Sequence, residues 1–168
     1  MNQNYKHPKR KTKVVFVQLG SPSEPTTKAL RKYLRKFLGD PRVVDINPWL
    51  WKIILNFFVL PFRPKKSAKL YARIWDGESF PLITNTRDFT KNVEKELKEI
   101  DPESYVEVNH AFLLSPPYLH EVYDGWEDDL KNGVGATKLL VIPMFPQYSE
   151  STIASGIDAL AKELSKRV

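Results

Sequence analysis

The sequence contains no cysteine, and that absence excludes several kinds of chemistry together. A chain without thiols forms no disulfide framework, no thiolate-bound zinc site, no cysteine-ligated iron–sulfur cluster and no cysteine nucleophile. The sequence also lacks an apolar run of the roughly 20 residues that a membrane-spanning helix requires. After a basic start, the strand-like segment KVVFVQL is too short to serve as the core of a signal peptide. We therefore do not expect a secreted protein.

The sequence does contain a moderate excess of positive charge, over a length typical of one domain. Its 168 residues include 26 Lys and Arg against 20 Asp and Glu, a formal charge of +6. Such a balance favours anionic partners, namely nucleic acid, acidic lipid or a polycarboxylate ligand, without choosing among them. We expect a basic, flexible tail over residues 1–12 and one α/β domain over residues 13–168.

Apolar residues change their period along the chain in the order expected of alternating strands and helices. Residues 14–17 form a short continuous apolar run, which is typical of a buried parallel strand. Between Thr26 and Gly39 the apolar residues recur at helical spacing. Further strands are predicted over residues 105–112 and 138–144, with amphipathic helices between and after them. This alternation predicts an α/β fold, a three-layer Rossmann-like domain whose parallel sheet carries helices on both faces.

Two local expectations accompany this fold. The strand over residues 138–144 is apolar on both faces, so we expect it to be buried on both. The helix that carries Phe89, Val93 and Leu97 on one face is expected to begin at Asn85 or Thr86, because either side chain can act as its cap.

The most apolar part of the chain, residues 47–61, has two interpretations. Core helices are common, so the spacing alone favours a helix buried against the sheet. The basic residues 63–69 follow it directly, however, and aromatic residues beside basic ones also suit a lip at a membrane surface. The spacing of the residues leaves both interpretations open.

In open parallel sheets, ligands bind at the carboxyl ends of the strands. Three segments at predicted strand ends carry small or hydroxyl-bearing residues, namely residues 19–22, 113–117 and 145–149. The first of them lacks the G-x-G-x-x-G pattern of dinucleotide-binding turns, and no G-x-x-x-x-G-K phosphate loop occurs in the sequence. The sequence therefore predicts a ligand edge without predicting a nucleotide.

Histidine and arginine offer few further sites. His110 falls inside a predicted strand with no second ligand at metal-binding spacing, so a structural role is favoured over a metal site. The basic residues 63–73 lack the glycine–aromatic pattern of RNA-binding sheets, and nucleic acid is not expected as a partner. Arg73 lies between apolar neighbours, a setting in which an arginine often has a specific carboxylate partner.

Several strings taken together resemble one family, the bacterial ferrochelatases. The similarity extends from about residue 14 to the end of the chain. The matching segments are QLGSP at residues 18–22 with Thr26 and Thr27, RKYL at 31–34, DPRVVD at 40–45, PFRPKKSA at 61–68, residues 71–75, Pro81 and Leu82 with Thr84 and Thr86, and PMFPQYS at 143–149 with Thr152 and Ser155.

The resemblance implies that the chain is the amino-terminal domain of an enzyme that inserts Fe²⁺ into protoporphyrin IX in haem biosynthesis. Ferrochelatases have two similar Rossmann-like domains around a porphyrin cleft, and the similarity covers the first. The family's essential histidine and glutamate lie beyond the chain end, so no catalytic or metal-binding residue is assigned. Activity is expected when a second half or a dimer completes the cleft. The alternative is a degenerate domain that binds porphyrin or haem without chelating metal.

The resemblance also implies particular contacts. Leu19 matches an apolar position over the macrocycle, Arg73 a cleft arginine suited to a propionate, and Tyr148 and Ser149 a pair facing the cleft. Fe²⁺ and protoporphyrin IX are expected as substrates, with no tightly bound cofactor and no iron–sulfur cluster. The protein is expected in the cytoplasm, with peripheral contact at the inner membrane face. The residues expected in the lip at the cleft entrance are Trp49, Leu50, Trp51, Phe57 and Phe58.

Two segments depart from the family pattern. Members commonly have Arg-Tyr-Gly-x-Pro after the second strand, where this chain has LLSPP at residues 113–117. An apolar pair, Leu113 and Leu114, thus replaces a cleft arginine and tyrosine. The family's Gly-Ser-Pro-Leu is replaced by SFPL at residues 79–82.

Overall fold

A computed structural model describes residues 11–103, 105–133 and 138–165 of the chain. Within these ranges the strands β1 (Thr12–Gln18), β2 (Val106–Phe112) and β3 (Lys138–Pro143) form one parallel sheet in the order β2-β1-β3, so β1 is central. Val14 is paired with Val108 on one side and with Leu140 on the other.

In the part of the chain that the structure describes, six α-helices connect and cover these strands. Two π-helical turns, Leu55–Val59 and Glu150–Ala154, and one 3₁₀ turn, Ala72–Ile74, interrupt them. The helices are α1 (Thr27–Leu38), α2 (Pro48–Ile54), α3 (Arg63–Tyr71), α4 (Pro81–Ile100), α5 (Leu119–Lys131) and α6 (Ser155–Ser165).

Alternate residues of β1 point into two different apolar clusters, one on each face of the sheet. On one face Val14 and Phe16 pack with Val93 and Leu97 of α4. On the opposite face Val15 and Val17 belong to a cluster that also contains Val122 of α5 and Leu160 of α6. Because both faces of the central strand are covered, residues 14–17 at its centre are all apolar. The predicted fold, a parallel sheet with helices on both faces, is confirmed.

Helix α1 begins and ends where the sequence predicts. The Thr26 side chain accepts a hydrogen bond from the backbone N–H of Ala29, at 3.2 Å, and so caps the amino end. At the other end the Gly39 N–H donates to the carbonyl of Arg35, at 3.0 Å. The apolar stripe of α1 is buried, with Leu30 fully inaccessible to solvent.

The start predicted for α4 is wrong by one helical turn. The helix begins at Pro81, because proline suits the first turn, where its missing N–H would have no partner. Phe80 occupies the cap position without a capping side chain. Thr86 is buried within the helix, and its hydroxyl donates to the carbonyl of Leu82 at 2.7 Å.

One predicted boundary and one predicted burial also need correction. Thr12 begins β1 and donates its N–H to the Tyr105 carbonyl at 3.0 Å, so the domain starts before residue 13. The remainder of the predicted tail, except Lys11, lies outside the described residues. Strand β3 is an edge strand of the described sheet, and 42% of Leu140 is exposed rather than buried.

Candidate ligand-binding edge of the sheet

The carboxyl ends of the three strands lie side by side, held by backbone hydrogen bonds that continue past the strands. The Leu113 N–H donates to the Gln18 carbonyl and the Leu114 N–H to the Leu19 carbonyl, both at 3.0 Å. The Gln18 side-chain amide donates to the Met144 carbonyl at 2.9 Å, which ties the end of β1 to the end of β3. The three segments expected at a ligand edge are therefore neighbours.

Gly20 allows the first and second of these segments to approach each other closely. Its φ of +91° is a conformation that favours glycine, and a Cβ there would lie 2.3 Å from the Ser115 hydroxyl oxygen. The Ser21 N–H donates to that same oxygen at 3.3 Å, and the Tyr33 hydroxyl donates to the Gly20 carbonyl at 3.2 Å. Burial raises the pKa of Tyr33 far above its ordinary value, with a smaller effect from Tyr71, so the phenol stays protonated and keeps donating.

Arg73 is exposed on the 3₁₀ turn that follows α3, and aromatic contacts fix the position of that turn. Tyr71 lies before it, with its ring centroid 6.4 Å from that of Tyr33. Trp75 lies after it, and the rings of Tyr71 and Trp75 both meet the buried ring of Phe80 edge to face, at 5.5 and 4.7 Å. Arg73 itself makes no ion pair within the described part of the chain. The turn that carries Arg73 is thus fixed by packing, and the guanidinium is exposed to solvent.

Tyr148 and Ser149 lie in the segment between β3 and the π-helical turn. Tyr148 is 68% exposed. The Ser149 hydroxyl lies 2.9 Å from the Ser151 hydroxyl, and the Ser149 carbonyl accepts the N–H of Ile153 at 3.0 Å. The structure therefore presents a phenol and a serine hydroxyl just beyond the end of β3.

A cleft of about 470 Å³ opens between the end of α1, the β2–α5 connection and α6. Leu19, Arg73, Tyr148 and Ser149 do not line it. It was not anticipated from the sequence, because its walls come from segments far apart in the chain. Its lining residues are Lys36, Asp40, Phe112, Leu113, Leu114, Tyr118, Leu119, His120, Ser155, Asp158, Ala159, Lys162 and Glu163.

The two walls of this cleft, α1 and α6, are joined by the DPR segment at residues 40–42. The Ser155 hydroxyl donates to a carboxylate oxygen of Asp40. Arg42 forms two hydrogen bonds to Asp158, at 2.7 and 3.3 Å, and this contact raises the pKa of Arg42. The matched segment DPRVVD thus has a structural role that no local pattern in the sequence reveals.

The apolar segment over residues 47–61 projects into solvent along most of its length. Trp49 is 78% exposed, Phe57 70% and Phe58 66%, so the interpretation as a buried helix is wrong for these side chains. Leu50 is exposed as well, whereas Trp51 is half-buried and donates its indole N–H to the Leu38 carbonyl at 2.6 Å. The segment is attached through Trp51, Leu55 and Leu60, which pack against the end of α1. Among the described helices, none is long and apolar enough to cross a membrane.

His110 lies on β2, half-buried, with its ring meeting that of Phe112 edge to face at 5.4 Å. Within the described ranges, no three His, Asp or Glu side chains are grouped so that they could hold a metal ion. Burial lowers the pKa of His110, and the nearby charge of Arg87 lowers it further. The imidazole is therefore neutral at pH 7.

This burial predicts a pH dependence of stability. The unfolded chain protonates His110 near pH 6.5, whereas the folded chain protonates it only at lower pH. The contribution of the neutral imidazole is fully present above the unfolded pKa and is lost as the pH falls towards the folded pKa. His110→Gln should therefore flatten the fall in unfolding free energy between pH 7 and pH 5, measured by urea denaturation. An unchanged slope would contradict the assignment, and His120→Gln, at an exposed position, is the matched control.

The fold and this edge define an α/β domain of the class that binds ligands at the carboxyl ends of parallel strands. The family model described as Ferrochelatase matches residues 11–168, and the chain belongs to the ferrochelatase family. It is 45% identical to a ferrochelatase of Idiomarina loihiensis over 92% of this chain and 41% of that protein. It is 39% identical to a ferrochelatase of Marinobacter nauticus, over 98% and 43% of the two chains.

A further relative has a more specific name. The chain is 40% identical to a coproporphyrin III ferrochelatase of Streptococcus mutans, over 94% of this chain and 47% of that protein. The chain thus spans somewhat less than half the length of the curated relatives it matches.

Proposed function

We propose that this chain is the amino-terminal, porphyrin-binding half of a ferrochelatase that inserts Fe²⁺ into protoporphyrin IX in haem biosynthesis. The observation that supports the proposal is the meeting of the three strand ends in a chain of this family, with Arg73 on its supported turn. Iron and the porphyrin are substrates, and a second half or a second copy of the chain would complete the cleft. The relatives' greater length agrees with this arrangement.

In this proposal each residue of the edge has a separate task. Leu19 would give the macrocycle an apolar contact, and Arg73 would bind a propionate through a charge-assisted hydrogen bond. Tyr148 and Ser149 would offer hydroxyls to polar atoms of the ligand. Metal insertion also requires a base that removes two pyrrole N–H protons, together with a wall on the opposite face of the ring. The residues of this edge bind and orient the porphyrin, and the completing half would supply the base.

The contact of Arg73 can be tested by porphyrin titration. Arg73→Ala should weaken protoporphyrin IX binding by about 1.5–3 kcal/mol, because a hydrogen bond between two charged groups is lost. The shift of the Soret band and the quenching of tryptophan fluorescence measure binding directly. Lys95→Ala removes one exposed positive charge of α4 and should leave the affinity unchanged. Equal losses in both variants would show that Arg73 acts only through net charge.

A metal-insertion assay tests the enzymatic part of the proposal. The chain would be incubated with Zn²⁺ or Fe²⁺ and protoporphyrin IX, and its oligomeric state would be measured by light scattering. Metalloporphyrin formation by a dimer, or on addition of a second half, supports the proposal. Binding of porphyrin without metallation under any of these conditions would identify a binding domain instead of a chelatase.

We also propose that the exposed apolar segment is a lip that contacts a membrane surface. Exposed Trp49, Phe57 and Phe58 lie close in sequence to the exposed basic residues Arg63 and Lys65, a combination suited to acidic headgroups. Replacing the three aromatic residues by alanine should weaken partitioning into vesicles that contain phosphatidylglycerol by roughly tenfold or more, because apolar area is no longer buried. Ile100→Ala, which removes a 77% exposed side chain elsewhere, is the control and should have no effect. Equal vesicle binding by all variants would contradict the lip.

A further inference from the structure

We infer that Tyr33 of α1 is a positioning residue, which holds the segments of the two expected porphyrin contacts, Leu19 and Arg73, in a fixed relation to each other. Tyr33 is only 7% exposed, so it acts through these two segments and not by touching the ligand. The inference rests on the proposed function, because it concerns how the binding edge is kept in place. It depends on the hydroxyl of Tyr33, on its ring and on the rigidity of a porphyrin.

The hydroxyl of Tyr33 fixes the turn that follows Leu19. It donates to the carbonyl of Gly20 at 3.2 Å, and both residues are buried. On the other side of the turn, the Ser21 N–H donates to the Ser115 hydroxyl oxygen at 3.3 Å. The turn is thus held between α1 and the end of β2. A variant without the phenol hydroxyl would deprive a buried carbonyl of this donor, which is unfavourable enough to shift the turn.

The ring of Tyr33 contacts the segment that carries Arg73. Its centroid lies 6.4 Å from that of Tyr71, which comes two residues before Arg73 in the chain. Tyr71 in turn meets the ring of Phe80, and Trp75 meets the same ring from the other end of the turn. One side chain of α1 therefore contacts both segments, the first through its hydroxyl and the second through its ring.

The rigidity of a porphyrin makes the relation between the two contacts important. The macrocycle is planar and stiff, and each propionate extends from it on a short arm. Leu19 can lie against the macrocycle while Arg73 holds a propionate only where the protein presents both at the matching separation. Sites of this kind hold their contacts to within about 0.5 Å by packing and by supporting hydrogen bonds. Tyr33 supplies both kinds of support.

A double-mutant cycle measures this coupling in Soret titrations of the full chain with protoporphyrin IX. Tyr33→Phe keeps the ring and removes only the hydroxyl, so it should weaken binding by roughly three- to tenfold. In the Arg73→Ala background the same change should weaken binding by less than about twofold, because no propionate contact is left to be misaligned. A purely structural role of Tyr33 would instead weaken binding by the same factor in both backgrounds.

Tyr123→Phe is the matched control. Tyr123 of α5 is 8% exposed, close to the value for Tyr33, and its ring packs against Trp126. Both variants remove one buried hydroxyl, so both should lower the free energy of unfolding in urea denaturation. Only Tyr33→Phe should change the porphyrin affinity. Tyr71→Leu removes the half-buried ring between Tyr33 and the Arg73 turn, and it provides the same cycle if Tyr33→Phe does not fold.

The outcomes separate the inference from the function on which it rests. A loss of affinity in Tyr33→Phe that disappears in the Arg73→Ala background, with unchanged affinity in Tyr123→Phe, supports the inference. Unchanged affinity in Tyr33→Phe, the same loss in both backgrounds, or an equal loss in Tyr123→Phe overturns it while porphyrin binding stands. If Arg73→Ala alone has no effect, the propionate contact fails and the inference fails with it. If the unaltered chain binds no porphyrin, the proposed function itself fails.

Discussion

Replacing Phe80 by alanine is expected to lower the free energy of unfolding by about 3–5 kcal/mol, the range found for a large aromatic side chain removed from a core. Phe80 is 1% exposed, and its ring is the one that both Tyr71 and Trp75 contact. It also precedes α4 directly, and its carbonyl accepts the N–H of Ile83 at 2.9 Å. Truncation would leave a cavity beneath the turn that carries Arg73. Urea denaturation followed by circular dichroism measures the loss.

The control for this variant is Phe62→Ala. Phe62 is 72% exposed, so its removal should change the unfolding free energy by less than about 0.5 kcal/mol. The burial of Phe80 also gives a structural role to the departure from the family pattern at residues 79–82. Phe80 stands there in place of a serine. A loss of stability in Phe80→Ala no larger than in Phe62→Ala would show that the aromatic support of Arg73 is misassigned.

Gly20→Ala is expected to lower the unfolding free energy by about 2–4 kcal/mol, because two unfavourable effects combine at this position. The φ of +91° strains any side chain with a Cβ. The added methyl group would also lie 2.3 Å from the Ser115 oxygen and 3.0 Å from the Cβ of Phe112, which is itself buried. Relief requires the end of β1 to move away from the end of β2. Thermal and urea denaturation would both register the change.

Gly77→Ala separates the two effects. Gly77 has a φ of +105°, but nothing lies within 4 Å of the position a Cβ would take. Its replacement should therefore lower the unfolding free energy by the conformational strain alone, about 1–2 kcal/mol. If Gly20→Ala were no more destabilising than Gly77→Ala, the close approach of the two strand ends would be contradicted.

The sequence alone predicts a strand or helix correctly wherever its periodic apolar pattern coincides with burial. The continuous apolar run of β1 and the stripe of α1, with Thr26 as cap, correspond to the structure because each reports local geometry. The cap of α4 was mispredicted because Pro81 starts the helix earlier than its apolar stripe indicates. The burial of β3 was mispredicted because an apolar sequence does not reveal whether a strand lies at the edge of a sheet.

The candidate site was harder to predict than the fold, because it is formed by contacts between residues that are distant in the sequence. Gly20 could be recognised as part of a turn, but not that it faces Ser115, 95 positions later in the chain. The joining of α1 to α6 through Asp40 and Ser155, and the cleft between these helices, have no local signature. The exposure of the apolar segment also has no local signature, because the spacing over residues 47–61 suits a buried helix and an exposed one equally.

In the proposed function, porphyrin binds at the carboxyl ends of the three strands. The most direct measurement is a two-dimensional ¹H–¹⁵N spectrum of the labelled chain titrated with protoporphyrin IX, whose ring current shifts nearby amide signals. We predict the largest changes at Leu19, Leu113, Leu114 and Ser149, with small changes along the exposed side of α4. Changes confined to other surfaces, or no changes at saturating porphyrin, would contradict the claim.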